Sequence, residues 1–106
     1  MKEADKQELM QQFRLSEHEW LDILLMPALR DRIQRLLLQL SRIAGGDGSV
    51  VAVQEDMADV CGACRESISR ELAKMTREGL ISTRRADSFR VGAKAYTLSS
   101  ALLRAA

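Results

Sequence analysis

Aromatic rings are scarce in this sequence. Only 4% of its 106 residues are aromatic, namely Phe13, Trp20, Phe89 and Tyr96. A stacking platform for single-stranded nucleic acid wants more rings than that. There is one histidine, His18, which reads as a solvated helix residue. No nucleophile, base and oxyanion donor accompany it, so the chain does not read as an enzyme. Two cysteines cannot build a disulfide framework, which fits a reducing, cytoplasmic setting. They form Cys61-Gly-Ala-Cys64, a C-x-x-C. Half a zinc site would need two further ligands, and a redox pair would follow a strand in a βαβ unit. Packing within a turn is therefore the expected role, with no metal and no cofactor. Long apolar runs are also missing. The longest candidate, Leu21–Leu29, is short and broken by Asp22 and Pro27, so no membrane span is expected. The opening MKEADK is charged and reads as no signal peptide.

What is present is an ordinary soluble mix, 46% hydrophobic and 29% charged, with a net charge of only +1. That small total hides a gradient. Residues 1–26 carry three basic against six acidic side chains, and residues 27–60 four against five. Residues 61–106 carry nine against four. The last part thus has the sign that meets phosphate.

Periodicity divides the chain into short elements. Residues 3–13 read as a helix with Leu9, Met10 and Phe13 on one side. Ser16 with Glu19 is a capping-box pattern that starts a second helix at Glu17, and Pro27 stops or kinks it. A third helix, about 28–44, places Leu29, Ile33, Leu36, Leu37, Leu40 and Ile43 in one apolar stripe. Arg30, Asp31, Gln34, Arg35 and Arg42 fall on its wet side. The loop GGDG at 45–48 precedes a β-branched run, Val50–Val53. Two helical segments follow, Gln54–Cys61 and about Arg65–Arg77, with Gly62 between them and Gly79 after them. Leu80–Arg85 and Phe89–Val91 read as strands joined by a turn at 86–88. A last short helix starts behind Ser99. The expected fold is mainly α (α+β): a winged helix-turn-helix with a small antiparallel β-wing and a helical N-terminal extension. Residues 1–27 form the extension and 28–106 the winged domain.

Two short helices joined through a glycine and followed by a hairpin match the plan of a DNA-binding helix-turn-helix with a wing. The second helix must then be apolar on one face and offer base-reading groups on another. At 3.6 residues per turn, Ile68, Leu72 and Met75 share one side, and Arg65, Glu66, Ser69 and Arg70 share another. Arg70 suits O6 and N7 of guanine, Glu66 suits N4 of cytosine, and Ser69 and Arg65 are adaptable. The competing reading of Glu66 and Arg70 is a plain i,i+4 surface ion pair.

The same residues carry a family resemblance. Residues 54–72, QEDMADVCGACRESISREL, followed by REGLI at 77–81, resemble the C-terminal DNA-binding domain of the cyclic-AMP receptor protein / fumarate-nitrate regulator (Crp/Fnr) family. The similarity runs from about Leu29 to Val91. It implies base reading by Arg65, Glu66, Ser69 and Arg70. Backbone contacts are expected from Gln54, Cys64, Lys74 and Arg77, and from Thr83, Arg84, Arg85 and Arg90 in the wing. Three departures stand out. Val53 and Cys64 occupy helix starts where the family places Thr or Ser. The wing turn lacks the common glycine. The 44 residues before the GGDG loop have a helical pattern that cannot build the family's β-roll sensor, so effector binding does not carry over.

The resulting expectation is a cytoplasmic, nucleoid-associated bacterial transcription regulator that binds double-stranded DNA as a homodimer, with RNA polymerase as a candidate further partner. The alternative is a winged-helix module that docks another regulator or the polymerase. Trp20, Leu21, Leu24 and Leu25 fit either the domain's own core or a dimer seam. A thiol switch at Cys64 is a third alternative.

Overall fold

In the computed structural model, residues 3–45, 48–86 and 91–104 are described. Their elements, in chain order, are α1 (Glu3–Phe13), α2 (Glu17–Leu24), α3 (Leu29–Ile43), β1 (Ser49–Val53), α4 (Gln54–Cys61), α5 (Arg65–Arg77), β2 (Ile81–Arg85), β3 (Ala93–Leu98) and α6 (Ser100–Arg104). The sheet is antiparallel with order β1-β3-β2. This is a mainly α winged helix-turn-helix.

Local chemistry sets most of the boundaries. Ser16 caps α2 with a complete capping box: its Oγ accepts from the Glu19 amide at 3.1 Å, and Glu19 Oε1 accepts from the Ser16 amide at 2.9 Å. Two orphan amides are thereby satisfied. The hydrogen bonds hold the Glu19 carboxyl below its ordinary value. Arg32 Nη1 donates to the carbonyls of Met26 and Pro27, at 2.8 and 3.3 Å, and so ties the α2–α3 link to α3. On α3 the stripe is buried at Ile33, Leu36 and Leu37 and half-buried at Leu29 and Leu40. Ser41 is buried too, a position the apolar pattern does not announce. Its Oγ accepts from the Gly48 amide at 3.1 Å and draws the following loop back onto α3. Gly48 has φ +86°, and a Cβ there would lie 3.2 Å from Leu103 Cδ1 and 3.3 Å from the Leu98 carbonyl. Both the turn and the close approach require glycine.

The second wing strand differs from its expected place. It is Ala93–Leu98, whereas Val91 lies in the turn before it and is 96% exposed. Phe89 and Arg90 lie outside the described residues, as do Asp87 and Ser88 of the expected turn. Phe89 and Val91 have the residue types that favour strands, and Ala93-Lys-Ala does not. Context overrides that preference, because β3 is the central strand and pairs on both edges. Its partners run from Ser49↔Thr97 to Val53↔Ala93 on one side, and from Ile81↔Leu98 to Arg85↔Lys94 on the other. Tyr96, opposite both Val50 and Thr83, is fully buried.

The core is continuous from one end of the chain to the other. Leu9, Phe13, Leu15, Trp20 and Ile23 from the extension join Met57, Val60, Ile68, Leu72, Met75, Ile81 and Leu98 in one cluster. No helix of the described residues is long and apolar enough to cross a membrane.

Candidate nucleic-acid interface

The turn between α4 and α5 is built around Gly62, which takes left-handed geometry (φ 66°, ψ 39°). The amides of Gly62 and Ala63 both reach the Ala58 carbonyl and close the end of α4. That reversal fixes where α5 begins. Neither helix start has a side-chain cap: Val53 and Cys64 have the extended backbone of a cap and make no capping bond. The departures noted in the sequence are therefore real gaps in side-chain capping, although the Ser67 and Ile68 amides donate to the Cys64 carbonyl and the Glu66 amide meets its own carboxylate. Cys64 Sγ instead meets Ser67 Oγ at 3.1 Å, which lowers the thiol's pKa. Cys61, three residues earlier, is buried, and burial pushes its thiol up to about 12. The two thiols thus sit in opposite environments, one inside the packed turn and one in solvent.

α5 divides cleanly. Ile68, Leu72 and Met75 are at most 2% exposed, while Arg65, Glu66, Ser69, Arg70, Lys74 and Arg77 are all exposed. No ion pair joins Glu66 to Arg70 among those of the described residues. The carboxyl of Glu66 is held below its ordinary value, chiefly by its own backbone amide and then by Cys64. It is therefore an anion at neutral pH, with the acceptor character that cytosine N4 requires.

The remaining expected positions are arranged unevenly. Thr83 joins α5 directly: its Oγ1 lies 3.2 Å from Thr76 Oγ1, and Thr76 donates to the Leu72 carbonyl at 2.8 Å. Because strand side chains alternate, Arg85 shares the face of Thr83, and Arg84 points to the opposite one. Arg84 lines a groove with Leu40, Ile43, Val51 and Ala95, so the structure does not bring it together with α5. Gln54 is half-buried and donates to the Tyr96 hydroxyl at 3.1 Å.

Two cations missed by the sequence reading complete the picture. Lys94 is exposed and stands directly opposite Arg85. Like charges across a strand pair repel unless an anion joins them, and only the correct register of β3 reveals this pair. Arg30, expected on the wet side of α3, is half-buried against α5. Its Nη1 and Nη2 each donate to Glu78 at 2.7 Å, and its Nε donates to Glu71 at 3.3 Å. Arg30 lowers the Glu78 carboxyl, and the two acids raise the guanidinium. No apolar periodicity signals such a contact.

α2 is the support behind the turn. Trp20 Nε1 donates to the Val60 carbonyl at 2.7 Å and so satisfies one of the orphan acceptors at the end of α4. Trp20 and Ile23 are buried, yet Leu21, Leu24 and Leu25 are 53%, 43% and 70% exposed. The apolar face of α2 is thus shared between the core and solvent. A groove of about 380 Å³ opens there, lined by Lys6, Glu17, Trp20, Leu21 and Leu24.

A buried stripe on the second helix, a left-handed glycine before it and a hairpin after it define the class: a winged helix-turn-helix. Residues 31–92 match the model of the Crp-like helix-turn-helix domain, and the chain belongs to that family. A similar solved structure is that of a CRP-family transcriptional regulator from Thermus thermophilus. It shares 33% identity over 83% of this chain, with a TM-score of 0.62. The chain spans 44% of the length of that structure. No match is found among curated proteins.

Proposed function

We propose that this chain is a sequence-specific double-stranded DNA-binding transcription regulator that inserts α5 into the major groove. The observation that carries this reading is the division of α5. Its apolar stripe is spent entirely on the domain, and Arg65, Glu66, Ser69 and Arg70 are left uncovered by any other part of the described chain. A module that docks proteins would present apolar groups there instead. Membership of the Crp-like family supports the same reading.

Specificity comes from those four side chains. Affinity comes from groups that meet phosphate: Cys64 at the start of α5, Lys74 and Arg77 along it, and Thr83, Arg85 and Lys94 on the wing. Gln54 and Arg90 complete the proposed backbone set, whereas Arg84, on the opposite face of β2, drops out of it. The protein acts as a homodimer through the exposed leucines of α2, so that two recognition helices meet half-sites about 34 Å apart on a pseudo-palindrome. Isologous packing of Leu21, Leu24 and Leu25 covers the apolar helix face that the fold leaves in water. Selection of bound duplexes from a random pool tests the proposal. Enrichment of one motif with two-fold symmetry is expected. Enrichment of no motif, at low salt and with the folded protein, overturns it.

A further inference from the structure

A helix that reads base edges must be held in tilt and rotation, because productive contacts tolerate errors of only about 0.5 Å and 10–20°. The apolar contact of α5 is one narrow stripe, Ile68, Leu72 and Met75. A single stripe resists lifting better than it resists rolling. The resistance to rolling has to come from the flank, and on one flank stands Arg30 of α3. Its planar guanidinium grips both oxygens of Glu78 at 2.7 Å while its Nε reaches Glu71 at 3.3 Å. Glu71 and Glu78 are seven residues apart, so one cation spans about two turns of helix. A fork on a carboxylate fixes angle as well as distance. Arg30 and Glu71 are only 28% and 23% exposed, which limits screening of that contact by salt, while Glu78 is 49% exposed. Glu78 sits at the C-terminal cap of α5, where the helix dipole disfavours an anion. The main partner that makes an acid tolerable at that end, Arg30, is on another helix, with Arg77 and Lys74 of α5 adding less.

We propose that Arg30 is a positioning residue: it sets the seating of α5 on α3, and through that seating the preference for a cognate duplex over random DNA. The first half concerns the fold alone, and the second rests on the DNA-reading proposal above.

The experiment compares wild type with Arg30→Met, Arg30→Lys and the exchange Arg30→Glu with Glu78→Arg. The probes are a duplex enriched by wild type from a random pool and a scrambled duplex of equal length and composition. The readout is the ratio of the two affinities, in which the sequence-independent phosphate contribution cancels. Amide exchange over residues 71–78 is measured in parallel. Arg30→Met is expected to lower the ratio about tenfold, the scale of one base contact, and to speed exchange. Arg30→Lys keeps the charge without the fork and falls between; should the Met variant fail to fold, the Lys variant carries the test. The exchange variant restores the contact between positions 30 and 78 but sets a carboxylate at position 30 against Glu71, so it recovers both readouts in part, above Arg30→Met. An unchanged ratio in a variant whose wild type does select a duplex overturns the proposal, and so does unchanged amide exchange. If wild type selects no duplex, the DNA-reading proposal has failed instead, and the seating role is decided by exchange alone.

Discussion

α2 and α5 are both short amphipathic helices packed on the same core, and they leave opposite things in water. α5 buries all three of its large apolar residues and shows solvent its charges. α2 buries Trp20 and Ile23 and still shows two leucines, with a third at its C-cap, Leu25. Their starts differ as well. α2 has a complete capping box, whereas α5 begins at Cys64 with no side-chain cap. A helix start closed by a side-chain cap needs no ligand there, whereas an uncapped start whose dipole points to solvent suits an anion. The surplus face of each helix therefore suits a different proposed partner: a polyanion for α5 and an apolar surface for α2.

Substitutions can separate those two partners. The largest effect is expected from Ile68→Ala, which empties a fully buried site under α5 and should cost about 2–5 kcal/mol in a denaturant titration. A smaller loss would mean that α5 is not seated by its stripe. Next comes Arg70→Ala. It should weaken binding to a selected duplex by about 1–3 kcal/mol and leave random duplex nearly unchanged. Equal weakening of both would reduce Arg70 to a phosphate contact. Ser16→Ala should cost about 0.5–2 kcal/mol of stability through the lost cap. The other half of the capping box, the Glu19 carboxylate on the Ser16 amide, depends on pH. The Glu19 carboxyl is lowered in the folded protein, so its stabilisation is complete above the ordinary value of 4.5 and disappears as pH falls through the lower folded value. A wild-type minus Glu19→Gln difference in stability that persists at the acid end would break this assignment. The smallest effect on the fold belongs to Leu25→Ser, expected within about 0.5 kcal/mol because the side chain stands in solvent. Sedimentation should nonetheless show weaker self-association. If it does not, the surplus face of α2 is not a seam between copies.

How far the sequence could be read depended on the kind of physics involved. Periodic burial was legible: the stripes of α3 and α5, and the turn at Gly62, stand where spacing and residue type place them. The capping box was legible for the same reason, since it is a contact between near neighbours. The four candidate readers on α5 followed from that stripe by geometry, because the face opposite a buried row has to be wet. Contacts between distant parts of the chain were not legible. Trp20 reaches Val60 across 40 positions, and Arg30 reaches Glu78 across 48. Nothing local in either segment announces those pairings. The same holds for the central strand, where two neighbours impose a conformation that Ala93 and Ala95 do not favour alone. Missing that strand also hid Lys94 beside Arg85, because the pair exists only through register.

Trp20 is the molecule's sole tryptophan, and its indole lies buried with its N–H on the last turn of α4. Its emission is therefore a native optical gauge of whether the N-terminal helices stay clasped to the DNA-binding half. A red shift on dilution, on heating or on mixing with a duplex would time the release of that clasp without any added label.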